Sequence, residues 1–180
     1  MENKSEILDD VYFDKGSGVE RQYVFGAWKF IFLSVITFGL YHIWWFYTSW
    51  RFFKQKDKLD ISPVPRALFS IFFMVELLDK ILKYARKHGY AGNYSSWGLF
   101  VGFFILNLLS RLPEPFWLVS IFSFVFLIEP FNALLYAKQN SGEFEVVDKS
   151  SLSAGEIIAV ILGGILWLLI LLGLFVGEQI

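Results

Sequence analysis

The final quarter of the chain holds twenty consecutive residues without a charge, from Ile157 to Val176, and nearly all of them are aliphatic or aromatic. An α-helix of this length covers about 30 Å, which matches the hydrocarbon core of a bilayer. The composition agrees, since 56% of the residues are hydrophobic and only 18% are charged. The stretch therefore predicts a membrane-spanning helix at residues 157–176.

Three further apolar segments precede this stretch, at residues 30–50, 97–110 and 116–137. Gly39 stands in the middle of the first, where it is either a packing contact in one straight helix or the tip of a re-entrant hairpin. The second and third segments are joined by a short linker with two prolines, Arg111-Leu112-Pro113-Glu114-Pro115. They predict an antiparallel helical hairpin whose first member is short for a membrane span.

The region between the first two segments predicts one amphipathic helix, at about residues 65–87. Prolines at 63 and 65 suit a helix start. Charged residues occupy one arc from Glu76 to Lys87, while the apolar part at residues 67–75 is too short to cross a bilayer. We expect this helix to lie in the cytoplasmic interface or obliquely in the bundle, with a short re-entrant insertion as the alternative.

Together these segments predict an all-α integral membrane bundle, with three to four transmembrane helices and one amphipathic interfacial helix. A polar, acidic tail at residues 1–29 precedes a single membrane domain at residues 30–180. We expect no secretory signal in these residues, because the first apolar stretch begins only after Lys29.

Basic residues predict the orientation in the membrane. Residues 51–88 hold nine Lys or Arg against four acids, so the positive-inside tendency places residues 51–96 in the cytoplasm. The linker at 111–115 then lies outside and residues 138–156 inside. The N-terminus is outside if residues 30–50 span and inside if Gly39 turns that segment back, and we favour inside because the tail is acidic and lacks a signal.

The same basic residues are candidates for contact with anionic lipid, at about 1 kcal/mol for each cation near a membrane surface. A solvated cytoplasmic face is the commoner explanation. The candidates are Arg51, Lys54, Lys56, Lys58, Lys80, Lys83, Arg86 and Lys87.

Five short motifs carry a resemblance to known proteins: the run from Lys29 to Tyr41, Trp45-Phe46-Tyr47 with Trp50, Ile61-Ser62-Pro63 with Arg66-Ala67, Arg111 to Pro115, and Gly163 to Trp167. Together they resemble a family of uncharacterised bacterial multi-pass membrane proteins, over about residues 23 to 176. The resemblance implies a bacterial inner membrane location. It implies no activity, substrate or catalytic residue.

Glu129 is the most prominent polar residue in the apolar segments. It lies roughly 18 Å along the helix from Trp117, at a depth where an unpaired carboxylate costs several kcal/mol. Pro130 should kink the helix, and Asn132 and Tyr136 share the face of Glu129. One interpretation is a proton or cation site. We favour a structural glutamate that is protonated or bonded to Asn132, or a helix that ends at Ile128 and leaves Glu129 near water.

His42 allows a proton-relay interpretation, but its aromatic neighbours near the interface or hairpin tip favour a structural role. With no Cys and only two His, we expect neither a metal site nor a cofactor. Neither a P-loop nor a Gly-x-Ser-x-Gly motif is present, and we expect no enzyme activity and no nucleic-acid partner.

Small residues recur at a spacing of four, which lets helix backbones approach closely in a membrane. They are Gly155, Ala159 and Gly163 in the last segment, with Gly98 and Gly102 in the second. Packing within the chain is the favoured interpretation, and a homo-oligomer or another membrane protein is the alternative. The sequence thus predicts a non-enzymatic scaffold or accessory subunit, with a small channel or transporter centred on Glu129 as the second hypothesis.

Overall fold

The structure is a computed structural model, and it describes residues 21–113, 116–149 and 151–177. Most of the predicted acidic tail, residues 1–20, and part of the proline-containing linker, Glu114 and Pro115, lie outside the described residues. The described chain is helical, as the sequence predicts, with one pair of short strands. In chain order the elements are β1 (Arg21–Val24), α1 (Ala27–Ile36), α2 (Leu40–Asp57), α3 (Pro63–Leu68), α4 (Ser70–Lys87), α5 (Ser96–Leu108), 3-10 segments at Leu109–Arg111 and Phe116–Phe124, α6 (Val125–Asn140), β2 (Glu145–Asp148) and α7 (Ala154–Gly177).

The first apolar segment is not a straight helix, because the chain reverses between α1 and α2. Phe38 and Gly39 adopt φ values of 53° and 84°, and the ring centroids of Phe30 and Trp45 lie 5.7 Å apart. In a continuous helix those two residues would be about 22 Å apart. Residues 27–57 are therefore a helical hairpin with Gly39 near its tip.

Thr37 and Gly39 explain why the helix breaks at this point. The Thr37 hydroxyl donates to the Leu33 carbonyl at 2.7 Å and accepts from the Tyr41 backbone N–H at 3.0 Å. The Gly39 N–H donates to the Ser34 carbonyl at 2.8 Å. One hydroxyl thus ties the last turn of α1 to the first turn of α2, and glycine supplies the left-handed residue between them without strain.

The predicted amphipathic helix is two helices, α3 and α4, which meet at Phe69. Glu76, Lys83, Arg86 and Lys87 are exposed, as the charged arc requires. The apolar face of α4 is covered by α5 and α6, so it contacts protein where an interfacial helix would contact lipid. Its buried side chains are Met74, Leu77, Leu78, Ile81, Tyr84 and Ala85.

The second and third apolar segments contact one another along α5 and the 3-10 helix at Phe116–Phe124. Ser95 starts α5 as a cap, since its hydroxyl accepts from the Gly98 N–H at 3.1 Å. With 13 residues, α5 covers only about 20 Å. Among the described residues, two helices are long and apolar enough to cross a membrane, Phe116–Asn140 and Ala154–Gly173.

Two short strands that no sequence pattern indicates pair in parallel, from Arg21 with Glu145 to Val24 with Asp148. Nearby, the Tyr84 hydroxyl donates to Glu143 at 3.3 Å, and the Lys56 ammonium lies 4.7 Å from the centre of the Tyr84 ring. These contacts bring four parts of the chain to one end of the bundle. We call it the basic end, comprising residues 21–24, 54–58, 83–88 and 138–148.

Aromatic side chains fill the core between the hairpin and α6. Phe30 stacks on Phe131 with ring centroids 4.7 Å apart, and Phe46 meets Phe103 of α5 edge to face at 6.3 Å. Phe30, Phe46 and Trp50 are almost fully buried. Each such side chain stabilises the fold by about 2 kcal/mol or more through burial alone.

Candidate functional site

Glu129 has a hydrogen-bond partner that the sequence did not indicate. The Tyr90 hydroxyl donates to Glu129 Oε1 at 2.6 Å, and Tyr90 belongs to the connection between α4 and α5. The Tyr136 ring lies 5.5 Å from the Tyr90 ring, and its hydroxyl donates to the Gly89 carbonyl at 3.3 Å. Among the described residues, Tyr90 is the hydrogen-bond partner of Glu129, in place of the predicted Asn132, which is half-buried nearby.

The electrostatics of this cluster assign donor and acceptor. Burial, together with the hydrogen bond to Glu129 and the charge of that carboxylate, raises the pKa of Tyr90 to about 12. Burial also raises the pKa of the Tyr94 phenol. Both tyrosines therefore keep their protons at neutral pH, and Glu129 accepts.

Helix α6 continues through Pro130 to Asn140, so the predicted helix end at Ile128 is wrong. Glu129 nevertheless lies against the loop that carries Tyr90. Its contacts are tyrosines at the edge of the bundle, which is an arrangement that holds a loop on a helix. A transport path needs polar residues that follow one another through the bundle, and the described contacts of Glu129 do not extend beyond this edge.

His42 is buried near the tip of the hairpin, with 4% of its surface exposed. Its ring lies 6.1 Å from Phe30 and 5.7 Å from Phe103. A Cβ atom on Gly39 would be 3.4 Å from the imidazole. The structure thus places His42 in an aromatic packing layer between α1 and α5, and no described contact connects it to Glu129.

Two of the predicted packing glycines lie at close helix contacts within the chain. A Cβ atom on Gly163 would lie 2.1 Å from the Ile36 carbonyl oxygen, and one on Gly102 would lie 2.3 Å from the Phe126 ring. The other two glycines make no close helix contact within the described chain, because Gly98 meets only its own cap Ser95 and Gly155 meets nothing within 4 Å. Packing of these two against another chain stays a prediction. Ala159 is half-buried. The regular spacing of small residues identified the packing face of α7, but the hairpin contacts only the part of that face around Gly163.

Glu156, which the sequence analysis missed, fixes the start of α7 to the hairpin. The Lys29 ammonium lies 2.9 Å from its carboxylate, and the Tyr41 hydroxyl donates to it at 3.3 Å. The backbone N–H of Ser153 donates to the same carboxylate at 2.7 Å, and the Ser153 hydroxyl accepts from the Glu156 N–H at 3.4 Å. Ser153-x-x-Glu156 is a capping box, a signal that is readable in the sequence.

Trp167 makes the second contact between α7 and the hairpin. Its ring stacks on Phe38 with centroids 4.9 Å apart, and its indole N–H donates to the Val35 carbonyl at 3.3 Å. From Glu156 to Trp167 the contact runs about 16 Å along α7. The large side chains on its other faces are exposed: Ile157, Ile158, Ile161, Leu162, Ile165, Leu166, Leu168, Leu169, Leu171 and Leu172.

The basic residues of α2 and α4 come together at the basic end. Lys54, Lys58, Lys83, Arg86 and Lys87 are exposed, while Arg51, Lys56 and Lys80 are half-buried. Lys56 also forms an ion pair with Asp57. The fold thus joins two stretches of positive charge that are separate in the sequence into one surface.

Comparison of the chain with protein-family models, curated proteins and solved structures gives no match. The resemblance to bacterial multi-pass membrane proteins stays a prediction. Within the described ranges, no group of three or more His, Asp or Glu side chains is arranged to hold a metal ion. The contacts of this fold are therefore the basis for any functional proposal.

Proposed function

We propose that this chain is a multi-pass protein of the bacterial inner membrane that acts as a non-enzymatic scaffold or accessory subunit. The observation that supports this best is the surface of α7. One face packs on the hairpin through Gly163 and Trp167, while the remaining faces expose large aliphatic side chains. An apolar surface of this extent is typical of a site that meets lipid or another protein.

In the proposed arrangement the helix at Phe116–Asn140 and α7 cross the bilayer, and α5 enters as a short third member. The α1–α2 hairpin enters from the basic end and returns, so its tip reaches about halfway through the hydrocarbon core. The position of Phe38 against Trp167 supports that depth. Pairing of β1 with β2 supports an N-terminal segment on the same side as residues 138–149.

The basic end then faces the cytoplasm and meets anionic lipid headgroups. Five exposed cations on α2 and α4 supply the charge. The exposed faces of α7 supply a surface for a second copy of the chain or for another membrane protein. Helices associate in a bilayer through packing and small residues, because lipid tails are as apolar as leucine.

Single cysteines test the orientation cleanly, because the chain has none of its own. Asp57→Cys lies at the basic end and Leu112→Cys in the linker after α5. With intact cells and a membrane-impermeant maleimide, we expect Leu112→Cys to be labelled and Asp57→Cys to be protected until the cells are permeabilised. Labelling of Asp57→Cys in intact cells, with Leu112→Cys protected, would contradict the orientation.

Photo-crosslinking tests the scaffold function itself. A crosslinking residue at Leu168, which is 62% exposed, should give a discrete protein adduct in native membranes. The same residue at Met74, which is 1% exposed, serves as the matched control and should give none. If Leu168 gives adducts with lipid alone, the exposed face of α7 is a lipid contact and the scaffold proposal fails.

A small channel or transporter is the second candidate, and the half-buried carboxylate of Glu129 in an apolar helix favours it. Its bond to Tyr90 at the bundle edge argues for the structural role. We expect proteoliposomes with an internal pH dye to leak no faster than empty vesicles under an imposed gradient, and Glu129→Gln to fold normally. A flux that disappears in Glu129→Gln but persists in Tyr136→Phe would establish the second candidate instead.

A further inference from the structure

A cavity of about 70 Å³ lies at the basic end, between β1, α2 and α6. Its walls are mainly aromatic, with Phe25, Trp44, Trp45 and Phe131 among them. Polar side chains interrupt this lining at Gln22, Thr48, Ser49 and Lys138. The volume suits several water-sized groups, which is enough for one small anion and too little for a nucleotide.

Lys138 contributes the charge of this cavity. It stands in the last turn of α6, and its ammonium lies 4.5 Å from the centre of the Phe52 ring. No carboxylate in the described part of the chain forms an ion pair with it. Lys29 is the instructive contrast, because its ammonium meets the Glu156 carboxylate at 2.9 Å. The Lys138 ammonium therefore has an aromatic ring and no described carboxylate beside it, so an anion from outside would stabilise it further.

Ser49 provides a second, independent feature of the same cavity. It is 2% exposed, and its hydroxyl has no hydrogen-bond partner among the described residues. Gln22 is equally buried, at 2%. Buried polar groups are nearly always hydrogen-bonded, so an orphan hydroxyl in a cavity that a lysine side chain also lines marks a place for an acceptor.

We propose that this cavity binds the phosphate group of an anionic lipid, with Lys138 as the counter-charge and Ser49 as a hydrogen-bond donor. A tetrahedral oxyanion accepts from both groups at once. In the proposed arrangement Ser49 lies about 15 Å along α2 from Gly39 at the hairpin tip, which places it near the headgroup level of the membrane. The choice of lipid over free phosphate rests on the proposed membrane location, whereas the oxyanion site itself does not.

The test uses the full chain in an uncharged detergent and three probes: dioctanoyl phosphatidic acid, dioctanoylglycerol and inorganic phosphate. Thermophoresis measures binding to the parent, Lys138→Met, Ser49→Ala and Arg111→Met. We expect phosphatidic acid to bind the parent and to bind Lys138→Met at least about tenfold more weakly, because a charge-assisted hydrogen bond is lost. Ser49→Ala should bind severalfold more weakly. Arg111→Met, which removes an exposed cation of the linker far from the cavity, should bind like the parent.

Thermal unfolding of the ligand-free variants adds a second readout. Lys138→Met should unfold at a higher temperature than the parent, because it removes a half-buried cation that no described carboxylate neutralises. A substitution that raises the unfolding temperature and weakens binding of phosphatidic acid is typical of a residue that binds the ligand. If Lys138→Met does not fold, Ser49→Ala carries the test, since it removes one atom from the cavity wall.

Each outcome decides the proposal. Equal binding of inorganic phosphate and phosphatidic acid would keep the oxyanion site and replace the lipid with a free anion. Equal binding of phosphatidic acid by the parent, Lys138→Met and Ser49→Ala would overturn it. Dioctanoylglycerol that binds as tightly as phosphatidic acid would overturn it as well. The cysteine-labelling experiment reports on membrane location separately, so the two failures are distinguishable.

Discussion

The α1–α2 hairpin and α7 arise from stretches of sequence that look alike, since residues 30–50 and 157–176 are both long, apolar and almost free of charge. Their fates differ. In the hairpin, Phe30, Trp45 and Trp50 are buried against other parts of the chain. In α7 the aliphatic side chains are exposed on most faces. Hydropathy thus identifies segments that avoid water, but it does not distinguish a protein neighbour from a lipid neighbour.

Two sequence features account for the difference. The hairpin carries a capping pair, Thr37 and Gly39, in the middle of its apolar run, and nothing of the kind interrupts 157–176. The hairpin is also rich in aromatic residues, whose rings interlock with Phe131 and Phe103. The exposed faces of α7 are mostly Ile and Leu, which suit a fluid hydrocarbon environment.

The two regions are nevertheless joined along one line of contacts on α7. At one end of this line, the Glu156 carboxylate contacts Lys29 and Tyr41. Gly163 contacts Ile36 in the middle. Trp167 stacks on Phe38 at the other end. The hairpin tip is therefore positioned by α7. Substitutions that remove these contacts should separate α7 from the hairpin while each keeps its own helical structure.

The largest effect is expected from Glu156→Gln. Glutamine keeps the capping box but removes the charge, which leaves the Lys29 ammonium without a counter-charge where its side chain is only 11% exposed. Breaking one side of such a buried pair costs about 3 kcal/mol in the free energy of unfolding. Thermal unfolding in detergent micelles measures the loss.

Two controls sharpen this experiment. Lys29→Met combined with Glu156→Gln should recover part of the stability, because no unpaired charge remains. Asp57→Asn breaks the more exposed pair with Lys56 and should cost at most about 1 kcal/mol. If Glu156→Gln costs no more than Asp57→Asn, the ion pair does not hold α7 to the hairpin.

Gly163→Leu is the next test, because a Cβ atom there would lie 2.1 Å from the Ile36 carbonyl oxygen. The helices must move apart, at a cost of about 2 kcal/mol. Gly164→Leu is a matched control one residue away, since a Cβ atom on Gly164 meets nothing within 4 Å. We expect a lower unfolding temperature for Gly163→Leu alone. Equal unfolding temperatures for the two variants would mean that α7 does not pack on the hairpin.

Long periodic or uniform patterns were the part of this fold that the sequence could predict. The helical class follows from them, and α7 begins within three residues of the predicted Ile157. The charged arc of α4 was also readable. What covers the apolar face of α4 was not, because a face of that kind fits lipid and neighbouring helices equally well.

Features that depend on pairing between distant residues escaped the sequence analysis. Strands of four residues are too short to show alternation, and each becomes a strand only beside its partner from the other end of the chain. Tyr90 as the partner of Glu129 depends on how a loop folds onto α6. The role of Glu156 as a helix cap could have been predicted, because Ser153-x-x-Glu156 is a capping-box pattern that indicates a helix start. Only its ion pair with Lys29 could not be predicted from the sequence.

The smallest of the three effects is expected at the hairpin tip, where Gly39→Ala adds a Cβ atom at a φ of 84°. An alanine in this left-handed conformation costs about 1 kcal/mol. Gly26→Ala is the control, because Gly26 has a φ of −70° and an added Cβ atom meets nothing within 4 Å. Thermal unfolding should show a loss for Gly39→Ala and almost none for Gly26→Ala. A hairpin that tolerates Gly39→Ala as well as Gly26→Ala would mean that residues 30–50 form one continuous helix after all, and the contrast with α7 would then disappear.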